Sequence, residues 1–358
     1  MPPEGEAYFL RCLRTPSPSG YEEAIQAVTR EHLDEAADGI RIDIHGNLIA
    51  DAGPDDLPRL MYAGHCDQIG MIVSHIDETG FVRAQTIGGW DPQQLIGQAM
   101  SIWTGDGEVP AVISRKPIHL LSQKERGQVV QLEDMWLDIG AADREDAAAA
   151  VRVGDPITLA LNVRKLRHDR WSGPGMDNKS GLWVVAEAFR RSATTGTLRC
   201  HLHTVATVQE EVGLRGAKTA AGSVNPDVAI AVDVTHASDC PTIDKNQRGD
   251  IRIGGGPVIY RGPNINRRVA DRLERIAAEN DLPHQIAAIG RATPNDANVL
   301  QVHGRGVAVG LVAVPNRYMH SAVEVIGGDD LEHAAELLKH FALSLTPECD
   351  FTPRVEAP

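Results

Sequence analysis

Apolar and polar positions change rhythm along this chain, and the changes divide it. Residues 4–14 read as a short helix, closed by the turn-rich run from Thr15 to Gly20. A second helix is predicted over residues 21–36, with Ala24, Ile25, Val28 and Leu33 near helical spacing. Residues 40–50 alternate like strands around His45, Gly46 and Asn47, and residues 59–64 form a short apolar strand leading into His65.

From about residue 70 to 163 the texture is different. Short β-like runs recur at 71–76, 81–84, 99–103, 111–114, 136–139 and 156–161, separated by turns such as Glu78-Thr79-Gly80 and Gly154-Asp155-Pro156. This reads as a small β-rich domain, residues 70–163, inserted into a larger domain of residues 1–69 plus 164–358.

After Trp171 strands and helices alternate. A helix is predicted over 176–191, with Leu182, Val185, Ala186 and Phe189 on one face. Strands follow at 200–208 and 228–232, a helix at 266–280, a buried strand at 307–314 and a closing helix at 331–345. Such alternation argues for an α/β layered sheet.

Composition narrows the function. The 358 residues suffice for a sizeable core, and 42% hydrophobic with 23% charged residues is ordinary for a globular protein. A formal net charge of −14 lacks the basic footprint of a nucleic-acid partner and is compatible with a cationic substrate group. The five cysteines are odd in number and form no C-x-x-C pair, which fits a reducing cytoplasm. No signal peptide is read at the N-terminus, and no apolar run approaches a membrane span.

Chemistry enters through acids and histidines placed at or just after strand ends. His65 follows the strand 59–64, with Asp67 two residues on; Glu210 and Glu211 follow 200–208; Asp233 ends 228–232; His320 lies just past 307–314. Asp177 opens the helix at 176. In sheets of this class ligand sites lie at the carboxyl ends of strands. Each residue alone also suits a structural role, a strand cap or a helix N-cap. Their joint occurrence points to a two-metal hydrolase, which needs nitrogen and oxygen ligands, a carboxylate bridge and a general base. Asp177 is the candidate bridge, Glu211 a ligand, Glu210 the general base, and Asp67 the carboxylate that fixes the His65 tautomer. Zn²⁺, Co²⁺ and Mn²⁺ all suit such a donor set. The chain contains no H-E-x-x-H, G-x-S-x-G or Walker A motif.

With these residues in view, the chain resembles the tetrahedral-aminopeptidase family, the glutamyl- and deblocking-aminopeptidase group of dinuclear metallopeptidases. The resemblance rests on residues 17–20, 64–70, 88–92 and 138–141, on Gln209 to Gly213, on Asp233-Val234-Thr235 and on Arg317 to Ser321. It implies a three-layer mixed-sheet α/β catalytic domain with an inserted β-rich, barrel-like dimerisation domain. His65 and Asp233 would hold one ion, Glu211 and His320 the other, with Asp177 bridging. Glu210 would activate a metal-bridging water, and Asp67 would orient the histidine ligand. The implied activity is removal of N-terminal residues from short peptides, in dimers that assemble to a dodecamer. Three departures from the family pattern bear on substrate preference: Gln68 where Glu is usual, Lys179 where Arg is commoner, and Thr293 to Ala297 in place of a Gly-Gly-Thr-Asp-Ala run.

Three other functions fit the sequence less well. A related carboxypeptidase or deacylase usually carries its insertion between the later aspartate and the last histidine, whereas here it falls between His65 and Asp177. A glycoside hydrolase would use two carboxylates without metal, and 4% aromatic residues leave few platforms for sugar. A non-catalytic assembly protein would have no reason to keep Glu210.

Overall fold

The computed structural model describes residues 1–353. Two helices open the chain, α1 (Pro3–Arg14) and α2 (Glu23–Leu33), the second shorter than its apolar pattern suggests. Strands β1 (Gly39–Ile42), β2 (Leu48–Ala52) and β3 (Arg59–His65) follow. The chain then leaves the sheet to build a closed barrel from β4 (Gly70–Ile76), β5 (Val82–Ile87), β6 (Gln98–Thr104), β7 (Gly107–Arg115), β8 (Met135–Asp138) and β9 (Pro156–Leu159). Every pairing in the barrel is antiparallel, in the order β4-β5-β8-β7-β6-β9. Inward-facing Met71, Val73, Met100, Ile102, Ile113, Leu137 and Ile157 give it a core of its own. Two short helices, α3 (Gln123–Arg126) and α4 (Arg144–Ala150), decorate it and were not legible in the pattern.

The chain returns through β10 (Arg164–Leu166) and β11 (Arg170–Gly173) into α5 (Met176–Ala193). Strand β12 (His201–Thr207), α6 (Arg215–Val224) and β13 (Val228–His236) come next, then α7 (Lys245–Arg248), β14 (Val258–Arg261), α8 (Arg267–Glu279) and β15 (Gln285–Ala288). The last elements are α9 (Asp296–Leu300), β16 (Ala308–Asn316), β17 (Glu324–Gly327) and α10 (Gly328–Ser344). The main sheet runs β1-β2-β12-β3-β13-β16-β14-β15. Its centre, β12-β3-β13-β16, is parallel, and antiparallel pairs flank it, so the sheet is mixed.

Helices cover both faces. Side chains of α1, α2, α5, α8 and α10 share one buried cluster with the sheet, and those of α6 and α9 share another. This is the three-layer α/β arrangement with an inserted barrel. Helix α5 is not buried on a single face: Lys179, Ser180, Trp183, Val184 and Glu187 are buried along with Leu182, Val185, Ala186 and Phe189. The helix lies between the sheet and the outer helices α1 and α10, so no side of its first three turns meets water. Its approach to the sheet is close. A Cβ on Gly64 of β3 would stand 2.9 Å from the Gly181 carbonyl oxygen.

Candidate metal centre

The parallel strands β3 and β12 end at the same level, while β13 runs on to His236, so Asp233 lies within its strand rather than at the end the sequence suggested. Thr207 is the register partner of His65, and Val232 that of Gly64. His65, the turn after β12 and Asp233 therefore meet at one edge, where the positive dihedral of Gln209 (φ 55°) turns the chain before Glu210 and Glu211. Asp177 reaches the same point from the first turn of α5, and His320 from the loop after β16. The structure brings all seven residues read from the sequence together.

Asp177 lies between the two histidines. Its Oδ1 is 3.2 Å from His65 Nε2 and its Oδ2 is 3.3 Å from His320 Nε2. Asp233 Oδ1 stands 3.7 Å from His65 Nε2, Glu211 Oε1 3.4 Å from His320 Nε2, and Glu210 Oε2 3.9 Å from His65 Nε2. Two sets of candidate ligands overlap at Asp177: His65, Asp177 and Asp233, then Asp177, Glu211 and His320.

The ring tautomers are set from behind. His65 Nδ1 lies 3.1 Å from the Asp67 carbonyl oxygen, and His320 Nδ1 lies 2.8 Å from the Gly89 carbonyl oxygen. A carbonyl can only accept, so each Nδ1 carries a proton and Nε2 is the ring nitrogen turned to the carboxylates. Gly89 belongs to the segment between β5 and β6, so the inserted barrel holds one histidine in place.

Asp67 acts mainly elsewhere. Its carboxylate stands 3.4 Å from His65 Nδ1, farther than its own carbonyl. It accepts from Ser19 Oγ at 2.7 Å, from the Glu210 N–H at 3.0 Å and from the Glu211 N–H at 3.2 Å. It is thus the anchor of the two-glutamate turn as much as of the imidazole. Two further acids escaped the sequence reading. Glu324, 2% exposed, accepts from the Asp177 N–H at 3.0 Å and the His320 N–H at 2.7 Å, tying two site residues through their backbones. Asp296, within the divergent run after Thr293, accepts from Thr207 Oγ1 at 2.6 Å. The spacing of Glu324, four residues after His320, was the available signal.

Charge is crowded here. Burial pushes the Glu210 carboxyl up to about 10, an effect that His65 opposes and Asp233, Asp296 and Glu211 reinforce. Burial, with Asp177, likewise lifts Glu211 to about 7. Burial opposes the charged form of His320, but Asp177 and Glu211 outweigh it and hold the ring up to about 11. The carboxylates outnumber the imidazoles, so the cluster calls for added positive charge. Asp177 Oδ1 and Glu211 Oε1 are buried and accept no hydrogen bond. Such orphaned oxygens, beside imidazole nitrogens in an N/O donor set, fit divalent cations.

The departures Gln68 and Lys179 contact one another beneath this site. Lys179 Nζ donates to Gln68 Oε1 at 2.5 Å and to the Thr15 carbonyl at 2.7 Å. The pair is a buried hydrogen bond where Glu and Arg would make a buried ion pair.

An imidazole and carboxylate centre at the carboxyl edge of a mixed α/β sheet, braced by an inserted barrel, defines the class as a hydrolase of the metallopeptidase kind. Residues 46–337 match the model of the M42 glutamyl aminopeptidase family, and the chain belongs to that family. It is accordingly an aminopeptidase, a hydrolase of peptide bonds. The lysyl aminopeptidase of Pyrococcus furiosus is 36% identical over 348 residues, 96% of this chain and 98% of that protein. The TET aminopeptidase of a marine-sediment Thaumarchaeota archaeon superposes with a TM-score of 0.92 at 32% identity, covering 96% of this chain and 97% of that one. The TET1 peptidase of Pyrococcus horikoshii, which can assemble into a tetrahedron or a large octahedral shell, gives 0.85 at 29% identity, over 95% and 100%. No helix among the described residues is long and apolar enough to cross a membrane.

Proposed function

We propose that the chain is a dinuclear-metal aminopeptidase that removes N-terminal residues from short peptides. The observation that carries this reading is Asp177, whose two oxygens each face a different imidazole nitrogen, at 3.2 and 3.3 Å. His65 and Asp233 would hold one ion, Glu211 and His320 the other, with Asp177 shared. Zn²⁺, Co²⁺ or Mn²⁺ suits the donors. When bound, two such ions supply Lewis acidity to the scissile carbonyl and lower the pKa of water.

The chain's own residues do the rest. Glu210, buried and facing the same space, takes a proton from the attacking water and returns it to the leaving amine. Asp67 holds the Glu210 and Glu211 amides, which fixes where both side chains project. The acid-rich pocket favours the cationic α-amino group of a peptide, and this selects for an exopeptidase.

The division into a catalytic domain (1–69 plus 164–358) and a dimerisation domain (70–163) belongs to the same proposal. Exposed Val112, Ile118, Leu120 and Val129 on the inserted domain give apolar surface for a second copy of the chain, and higher assembly to a dodecamer follows the behaviour of the TET relatives. A cytoplasmic location, with no nucleic-acid or membrane partner, completes the reading.

The test uses chelator-stripped protein re-supplied with Zn²⁺, Co²⁺ or Mn²⁺ and offered aminoacyl-p-nitroanilides and short peptides. Metal-restored release of N-terminal residues is expected. Absence of release with every metal, at metal saturation of the chain, refutes it.

A further inference from the structure

A second cluster of metal-type side chains lies on the main sheet, away from the site above. His201 and His203 alternate on β12, so both project from one face, while Leu202 between them enters the core on the other. Asp51 of β2 is the direct cross-strand partner of His203. The imidazole centroids of His201 and His203 are 4.2 Å apart, and His201 Nε2 stands 3.4 Å from Asp51 Oδ2. One donor atom from each of the three side chains lies within 4.8 Å of the others. The cluster sits at the start of β12, with His203 about 13 Å and His201 about 20 Å along the strand from Thr207 at its catalytic end.

The hydrogen bonding is incomplete. His203 is 4% exposed, and neither of its ring nitrogens has a partner; His201 Nδ1 is also buried and unpaired. Buried polar groups in this state call for a ligand. Arg41 Nη1 approaches only Asp51 Oδ1, at 3.7 Å, which leaves Oδ2 turned to the imidazoles. Asp51 and His201 keep 23% and 13% of their side chains exposed, so an ion has a route in and room for water as a further ligand.

We propose that Asp51, His201 and His203 form a binding site for one first-row divalent transition ion, separate from the catalytic centre, that ties strand β2 to β12. Two imidazoles and a carboxylate suit zinc and its neighbours, and exclude calcium and magnesium, which take all-oxygen shells. The site does not depend on the aminopeptidase reading.

Wild-type protein, His203→Leu and Asp51→Asn are stripped with chelator, reloaded with zinc, desalted and assayed for bound zinc by elemental mass spectrometry and for peptide hydrolysis. Each variant is expected to hold one zinc per chain fewer than wild type at unchanged turnover. Zinc is also expected to raise the melting temperature of wild type more than that of either variant. Equal zinc content in all three proteins overturns the proposal, as does a zinc loss that comes only with loss of the catalytic ions and activity. Asp51→Asn changes a part-exposed side chain, so the test stands even if His203→Leu fails to fold.

Discussion

Glu324→Gln is the sharpest probe of how the catalytic edge is held. The two carboxylate oxygens of Glu324 accept from two backbone amides, those of Asp177 at 3.0 Å and His320 at 2.7 Å. A glutamine can offer its oxygen to only one of them. Its NH₂ group then faces the other N–H, in a place where Glu324 is 2% exposed and water has little access. Leaving one buried amide N–H unpaired costs about 1–3 kcal/mol, and the NH₂ group turned against it adds to the loss. We therefore expect about 2–3 kcal/mol to be lost from the alignment of Asp177 and His320, which is about 30- to 150-fold in metal affinity. The assay is competition for metal with a coloured chelator, alongside kcat/KM on an aminoacyl-p-nitroanilide. Both should fall, and excess metal should recover part of kcat/KM. A variant within twofold of wild type in both would show that Glu324 does not position the ligands, and the reasoning from its geometry would fail.

Three other substitutions have definite outcomes. Glu210→Gln should keep its metal while losing about 10²–10⁴ in kcat, because it removes the proton carrier alone; bound-metal analysis with steady-state kinetics checks this, and near-normal kcat would remove Glu210 from the role. Gly64→Ala puts a methyl group 2.9 Å from the Gly181 carbonyl and should cost about 2–3 kcal/mol in urea unfolding; an unchanged midpoint would show that β3 and α5 can separate freely. Glu187 sits between His32, Arg190 and Arg191, and although burial pushes its carboxyl up, His32 and Arg191 win and bring it down to about 2. A depressed carboxyl contributes stability above its unfolded value near 4.5 and loses it as the pH falls toward 2, so Glu187→Gln should cost about 3 kcal/mol at pH 7 and progressively less below pH 4.5. A cost that stays constant from pH 7 to 3 would contradict that assignment.

What the sequence made legible followed from strand ends. His65, Glu210, Glu211, Asp233 and His320 each come just after an apolar run, and parallel strands in register bring such positions to one edge whatever the details of the loops. The barrel was legible for a related reason, since its strands are bounded by turn residues. Other parts left a weaker local trace. Glu324 and Ser19 act on backbone or side-chain atoms far along the chain, as with Glu324 on the Asp177 amide 147 residues away. Strands β10, β11, β14, β15 and β17 have three or four residues each, too few for a period to show. Helix α6 is rich in alanine and glycine, and its buried face is made of Ala217, Ala220 and Ala221 rather than large apolar residues. The role of Asp67 shifted because its two-residue spacing from His65 suggested the imidazole as its partner, whereas the folded turn offers it the Glu210 and Glu211 amides.

The central claim is that two ions held around Asp177 make this chain an aminopeptidase. It is tested most directly by titrating stripped Asp51→Asn protein with Co²⁺ while counting bound metal and following release from an aminoacyl-p-nitroanilide. The account predicts no release without metal and full activity when two ions per chain are bound. Undiminished release from stripped protein, or two bound ions with no release from any substrate, would contradict it.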